Sequence, residues 1–418
     1  MFTRIQAKHF RSLKYINQPL KPFQALVGPN ASGKTTFLDV IGLLSDIVRS
    51  RGDVSEVLQE RSSSFENLVW MGAGNTFQLA LEAKIPEAIT TKMAQDKKEF
   101  QYARFEIEFG IQNETNEVGI NHETFWLVNN RPAELPQRDF FPELRDSSGD
   151  IFFKAGAGKK IAIKKIPGRN DNYYTEGSKS YKPSYKLGRR KSALANLPAD
   201  EEVFPVSSWF RDLLNDGVQN FVLNSKVIRQ PSPPGKGIRF QPDGSNLPWV
   251  VFELKKNKIK FESWIKHVQT ALSDIVDVES IIRDEDRHRY LMVTYSNGAK
   301  VPSWLVSDGT LRLLALTLPA YLDDVDGVFL IEEPENGIHP RAIETVLQSL
   351  TSIYSGQVLI ATHSPIALNM MEPKDVLCFA KNSEGATDLV SGDKHPALKE
   401  WKGQRADIGR LFAAGILS

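Results

Sequence analysis

Gly28, Pro29, Asn30, Ala31, Ser32, Gly33, Lys34 and Thr35 read G-x-x-x-x-G-K-[ST], with Thr36 adding a second hydroxyl. The glycines let backbone N–H groups wrap a β-phosphate. Lys34 sets a point charge on the β- and γ-phosphates. Thr35 completes a Mg²⁺ ligand set that otherwise keeps several waters. Far downstream, "VFLIEEPENGIHP" places Glu332 and Glu333 at the end of an apolar run. One carboxylate can reach the metal ion and the other can hold an attacking water; Glu332 is assigned to the metal and Glu333 to the water. "VLIATHS" then ends at His363, where an imidazole faces the crevice in which such sheets bind ligands and can sense a γ-phosphate. A second small polar turn, Ser307-Asp308-Gly309-Thr310, opens a helical run. Its N–H groups at the positive end of a helix also suit an anion.

These residues need a scaffold. "FQALVG" reads as the strand before the loop, and "FLDVIGLLSDIV" as the helix after it. "GVFLIEE", "QVLIATHS" and a final strand near "DVLCFAK" alternate with helices such as "RAIETVLQSLTSIY". Alternating runs over 77–130 predict antiparallel strands, and "RHRYLMVTYSNGAKVPSWLV" predicts a hairpin turning at Asn-Gly. Residues 201–275 carry helical patterns broken by proline-rich loops.

The bulk numbers narrow the class. The 418 residues are 41% hydrophobic and 25% charged, with net charge +1, an ordinary globular composition of two or three units. A lone cysteine, Cys378, excludes a disulfide framework and a cysteine zinc site. No apolar window is long enough for a membrane helix, and the charged N-terminus is unlike a signal peptide, so a cytoplasmic location without membrane contact is expected.

Charge is uneven. Residues 154–191 hold twelve Lys/Arg, among them Lys159, Lys160, Lys164, Lys165, Arg189, Arg190 and Lys191, against Asp171 and Glu176, with four tyrosines interspersed. "AGAGKK" at 155–160 imitates a phosphate loop, but Phe153 and Lys160 break the pattern. The segment reads as a flexible basic loop, removable without loss of the fold. It is a candidate contact for DNA or RNA, through lysine–phosphate pairs and tyrosine stacking, or a dock for an acidic partner; a merely solvated loop is the plain alternative.

"GPNASGKT", "SDGTLR", "LIEE" and "THS" stand in the order of Walker A, signature, Walker B and switch in ABC-type ATPase heads. The chain resembles the soluble SMC/RecF/OLD-like ATPases, often grouped as AAA-type, ABC-like; "FRSLK", "DGSNLP" and "EEPENGIHP" are similar to theirs. The resemblance covers about 1–85 and 204–385. It implies an α/β fold: a P-loop sheet flanked by helices, an antiparallel β subdomain, and a large α+β insertion between Walker A and signature. Boundaries are expected at 1–95, 96–203, 204–300 and 301–418. The resemblance also implies ATP and Mg²⁺, a homodimer or higher oligomer sandwiching two ATPs, and Ser307, Asp308 and Gly309 touching the partner's nucleotide. Glu333 would be the general base and His363 the switch. Glu332 replaces the usual Asp, His339 stands at the D-loop aspartate, and no Q-loop glutamine is placed; Gln78 lies inside a strand pattern.

Lys34 and Ser307 lie too far apart for a transporter subunit, and no heptads fill the gap as in an SMC arm. The short tail after His363 lacks the acid cluster of a Toprim nuclease. The expectation is an ATPase switch serving a separately encoded effector, such as a nuclease, as in Septu-like anti-phage systems. A RecF-like repair ATPase and a slow, ATP-locked scaffold stay open.

Overall fold

The structure is a computed structural model that describes every residue except 73, 113, 130–134, 145–148, 167, 180, 324, 402–406 and 418. Strands Val218–Phe221, Gly327–Glu332, Gly356–Ala361, Phe23–Val27 and Val376–Lys381 lie parallel in that order. Thr387–Ser391 closes one edge antiparallel. Side chains alternate across this sheet. Leu26, Leu330, Leu359 and Ala361 enter one core; Ala25, Phe329, Ile331, Val358 and Ile360 enter another. Both faces are therefore covered, which is why these strands read as unbroken apolar runs.

On the first face the Lys34–Ser50 helix packs through Phe37, Leu38, Ile41 and Leu44, with the eight-stranded antiparallel sheet behind it. That sheet starts with Leu13–Pro19, Phe2–Phe10 and Thr76–Lys84 and runs on through Tyr102–Ile111 and Val118–Val128. The expected boundary at 95/96 thus falls between two strands of one sheet. On the second face sit the helices Leu247–Leu254, Lys258–Ala271, Asp308–Thr317 and Pro340–Thr351. A hairpin, Arg289–Tyr295 with Lys300–Pro302, turns at Asn297-Gly298 and completes a three-stranded sheet.

The structure departs from the sequence reading in three places. Val218–Phe221 is an edge strand inside a region read as helical; four residues are too short to show a period of two. Thr387–Ser391 follows the strand taken as the last. The largest departure is the basic segment. Lys159–Lys165, Asp171–Tyr173 and Ser184–Tyr185 are the last three strands of the antiparallel sheet, not a loose loop; Pro167 and Ser180 within it lie outside the described residues. Ile163 and Tyr173 are buried in the first core, and the Tyr173 hydroxyl donates to Ala193 O at 3.0 Å. Glu176 is buried and accepts from the N–H groups of Val206 and Ser207 at the start of the Pro205–Asp212 helix. Removing 155–190 would take a wall off the core, so the segment is not dispensable for folding.

Candidate functional site

The phosphate loop follows the Phe23–Val27 strand and opens the Lys34–Ser50 helix. Its path needs glycine twice. Gly33 has φ of 104°, and a Cβ there would meet Thr387 Oγ1 at 2.2 Å; a Cβ on Gly28 would meet the Phe379 carbonyl oxygen at 2.2 Å. Pro29, Asn30 and Ala31 form the exposed crest, while Ser32 is buried with its hydroxyl unpartnered. The Lys34 ammonium lies back on the loop, donating to Gly28 O at 2.8 Å and Pro29 O at 2.9 Å. Burial pushes its pKa down to about 8, against the pull of Glu333 and Glu332.

A cleft of about 480 Å³ gathers residues 30–36 with Glu332, Glu333 and His363. The two carboxylates share it because the strand ends at Glu332. Glu333 takes φ of 47°, an uncommon left-handed backbone for a non-glycine residue, and its N–H donates to Ala361 O at 2.8 Å. The Thr35 hydroxyl donates to Glu332 Oε2 at 2.7 Å. These two oxygens, with the unpartnered Ser32 hydroxyl in the same loop, fit a Mg²⁺–phosphate group: a hard cation takes the first pair and a phosphate oxygen accepts a hydrogen bond from the last.

His363 follows the Gly356–Ala361 strand and is half-buried. Burial first, then Lys34, holds its imidazole below the usual histidine range, against Glu333 and Glu335. Sequence reasoning passed over Glu335. Its Oε1 accepts from Thr362 Oγ1 at 2.7 Å and from the His363 N–H at 2.9 Å, tying the Walker B turn to the switch. It is a positioning residue. Glu335→Ala is expected to lower kcat by about tenfold to a hundredfold through a misplaced His363, with KM for ATP little changed. Glu335→Gln should recover most of the rate, since an amide oxygen accepts the same two bonds. Steady-state phosphate release checks both; equal losses would make the charge, not the hydrogen bonds, responsible.

Four further residues escaped the sequence reading. Arg11, Ser12 and Lys381 line the cleft. Thr387 braces the loop from outside, donating to Ser32 O at 2.8 Å and meeting Ser12 Oγ at 2.9 Å. Next to it, Asp388 is buried and paired with Arg138 through both oxygens, at 3.1 and 2.8 Å. Gln78 donates to Glu108 within the antiparallel sheet and does not line the cleft.

The second anion-directed turn lies outside this cleft. Ser307 caps the Asp308–Thr317 helix, accepting from Thr310 N at 3.2 Å. The Asp308 carboxylate is held by Arg229 at 2.7 Å, so what it can offer a phosphate is its backbone N–H. Gly309 fits closely under the Walker B turn: a Cβ there would meet Gly337 O at 2.8 Å. His339 caps the Pro340–Thr351 helix, accepting from Arg341 N at 3.3 Å. Of the basic residues singled out, Lys165 is buried against Asp171 at 2.8 Å. Arg189 bonds Gln112 and Asn121, and Arg190 pairs with Asp53 and Glu117. All three have partners within the chain, Lys165 buried and Arg190 at the surface; Lys159, Lys160, Lys164 and Lys191 also keep solvent access.

A parallel sheet with this loop, two carboxylates and a histidine at its carboxyl edge defines a P-loop ATPase of the ABC type. The chain belongs to the family described as "AAA domain, putative AbiEii toxin, Type IV TA system", whose model matches residues 23–369. Solved SMC heads share its fold. One, bound to the C-winged helix domain of ScpA, superposes with a TM-score of 0.51 at 12% identity over 93% of this chain and 96% of its own. Another, with an extended coiled coil bound to the C-terminal domain of ScpA from Pyrococcus furiosus, gives 0.52 at 12% identity over 97% and 99%. An OLD nuclease from Thermus scotoductus is 52% identical over 44 residues, which span 10% of this chain and 8% of that protein. No helix among the described residues is long and apolar enough to cross a membrane.

Proposed function

We propose that two copies of this chain close around two ATP molecules and that the closed dimer switches a separately encoded effector, such as a nuclease, in defence against phage. One observation carries the dimer. The Ser307–Gly309 turn points an N-capped helix start at solvent, does not line the cleft of its own chain, and is flanked by exposed Trp304 and Leu305. A phosphate-seeking helix end with apolar neighbours is suited to a nucleotide held by a second copy. The partner domains seated on the two SMC heads support an ATPase that works through another chain. The solvent-accessible lysines Lys159, Lys160 and Lys164 of the antiparallel sheet, with Lys191 beyond its last strand, are the surface for nucleic acid or an acidic partner.

In the hydrolytic step Lys34 turns from its two carbonyls to the β- and γ-phosphates, and Ser32 donates to a phosphate oxygen. Thr35 and Glu332 would hold Mg²⁺, which supplies neutralising charge to the phosphates. Glu333 takes a proton from the water whose oxygen attacks the γ-phosphorus, as the bond to ADP breaks. His363 contacts the γ-phosphate and reports its loss through Glu335.

Light scattering tests the assembly. The wild-type chain is expected to double its mass only with Mg-ATP. Ser307→Arg is expected to stay monomeric while binding ATP about as tightly, because its own loop is untouched. A Ser307→Arg protein that dimerises normally would remove the turn from the interface.

A further inference from the structure

The antiparallel sheet carries a second cleft, of about 660 Å³, on the side of the basic strands. It is lined by Ala94, Asp96 and Lys97, by Trp126 with Lys159, Lys160 and Ile161, and by Tyr174, Thr175, Lys179 and Lys182. The walls are fixed to one another. Ala94 N donates to Glu176 O at 3.0 Å, Tyr174 N to Ala162 O at 2.7 Å, and Thr175 Oγ1 to Tyr181 O at 2.8 Å. This is a built concavity rather than a run of surface lysines.

Its charges converge. Lys97 is only 8% exposed, yet it lines the cleft and makes no ion pair among the described residues. Burial holds its ammonium below the usual lysine range; Lys160 and Lys182 push the same way, against Asp96 and Glu176. Lys160 faces Asp96 at 3.4 Å, an exposed pair easily exchanged for a phosphate. Lys159 sits over the Phe153 ring, 3.9 Å from its centroid. Tyr174, 36% exposed, lines the same cleft and offers it an aromatic face.

We propose that this cleft binds single-stranded nucleic acid, its phosphates on Lys97, Lys160 and Lys182 and one base against Tyr174. The inference rests on the reading that the basic strands face nucleic acid, and it narrows that reading to a place and a strand form. A duplex hides the base faces that Tyr174 would meet, and a flat basic patch would not need a nearly buried lysine. Arg189, Arg190 and Lys165, three further cations of the segment, are paired within the chain, do not line this cleft and play no part.

The test is fluorescence anisotropy of a fluorescein-labelled twelve-nucleotide oligothymidine with the full chain, without ATP, across a salt series. Lys160→Ala with Lys182→Ala should weaken binding at least about tenfold. It should also flatten the log–log salt slope by about 1.4, from about 0.7 for each of the two phosphates no longer neutralised. Tyr174→Ala should weaken binding about tenfold with the slope unchanged. Phosphate release from Mg-ATP should persist in both variants, which separates a failure here from a failure of the ATPase reading. Unchanged affinity in the double variant overturns the proposal, as does tighter binding of a duplex of equal length through the same lysines. So does equal displacement by inorganic pyrophosphate with no effect of Tyr174→Ala, which would make it a site for free phosphates.

Discussion

Glu333→Gln is expected to bind Mg-ATP and all but stop turning it over, with kcat lower by about 10²- to 10⁴-fold, the range for loss of a general base. The amide keeps the size and the hydrogen-bonding reach of the carboxylate but cannot take the proton of the attacking water. The backbone supports the assignment. A left-handed residue at 333 turns this side chain into the cleft, whereas strand alternation would have sent it to the opposite face from Glu332. Glu332 is already engaged with Thr35 and is placed for the metal. With hydrolysis blocked, the ATP-bound dimer should accumulate and light scattering should read the doubled mass at substoichiometric turnover. Normal phosphate release from Glu333→Gln would move the base to Glu332, and the same measurement on Glu332→Gln would then show the loss.

Lys34→Ala is expected to remove nucleotide binding, with affinity lower by at least about a hundredfold in a fluorescent-nucleotide titration. Two losses coincide. The β- and γ-phosphates lose their nearest ammonium, and Glu332 and Glu333 are left facing them without a counter-charge. The two bonds that tie the lysine to Gly28 and Pro29 in the free loop are no longer given up on binding, a smaller effect of opposite sign. Lys34→Arg helps separate these, since it restores charge without the compact geometry of an ammonium; it should regain only part of the affinity. Retained binding in Lys34→Ala would sink the assignment of the loop.

Much of this was legible in the chain. The phosphate loop announces itself because glycine is the only residue that fits at 28 and 33, so the spacing is a record of backbone shape. The parallel strands announce themselves because both faces are buried. Glu335, Thr387 and Ser12 were not legible. Each acts through one or two hydrogen bonds to a residue distant in the chain, and nothing in local period or composition marks such a bond. The basic segment misled for a different reason. Its strand Lys159–Lys165 holds only three consecutive apolar residues between lysine pairs, so composition outweighed pattern. Yet Asp171 and Glu176, the two acids within it, are the buried partners that make it fold.

Arg138 belongs to the same stretch of chain as the antiparallel sheet, yet it grips Asp388, whose neighbour Thr387 holds the carbonyl of Ser32. Three side chains, Arg138, Asp388 and Thr387, thus join the segment around 138 to the loop that cradles the nucleotide. Linkage makes such a joint work in both directions. A ligand that shifts the 137–143 segment and loosens nucleotide tenfold must itself be loosened tenfold by nucleotide. The molecule would then read out its own occupancy at the 137–143 surface, outside the nucleotide cleft, and an effector resting on that surface would sense ATP without ever touching it.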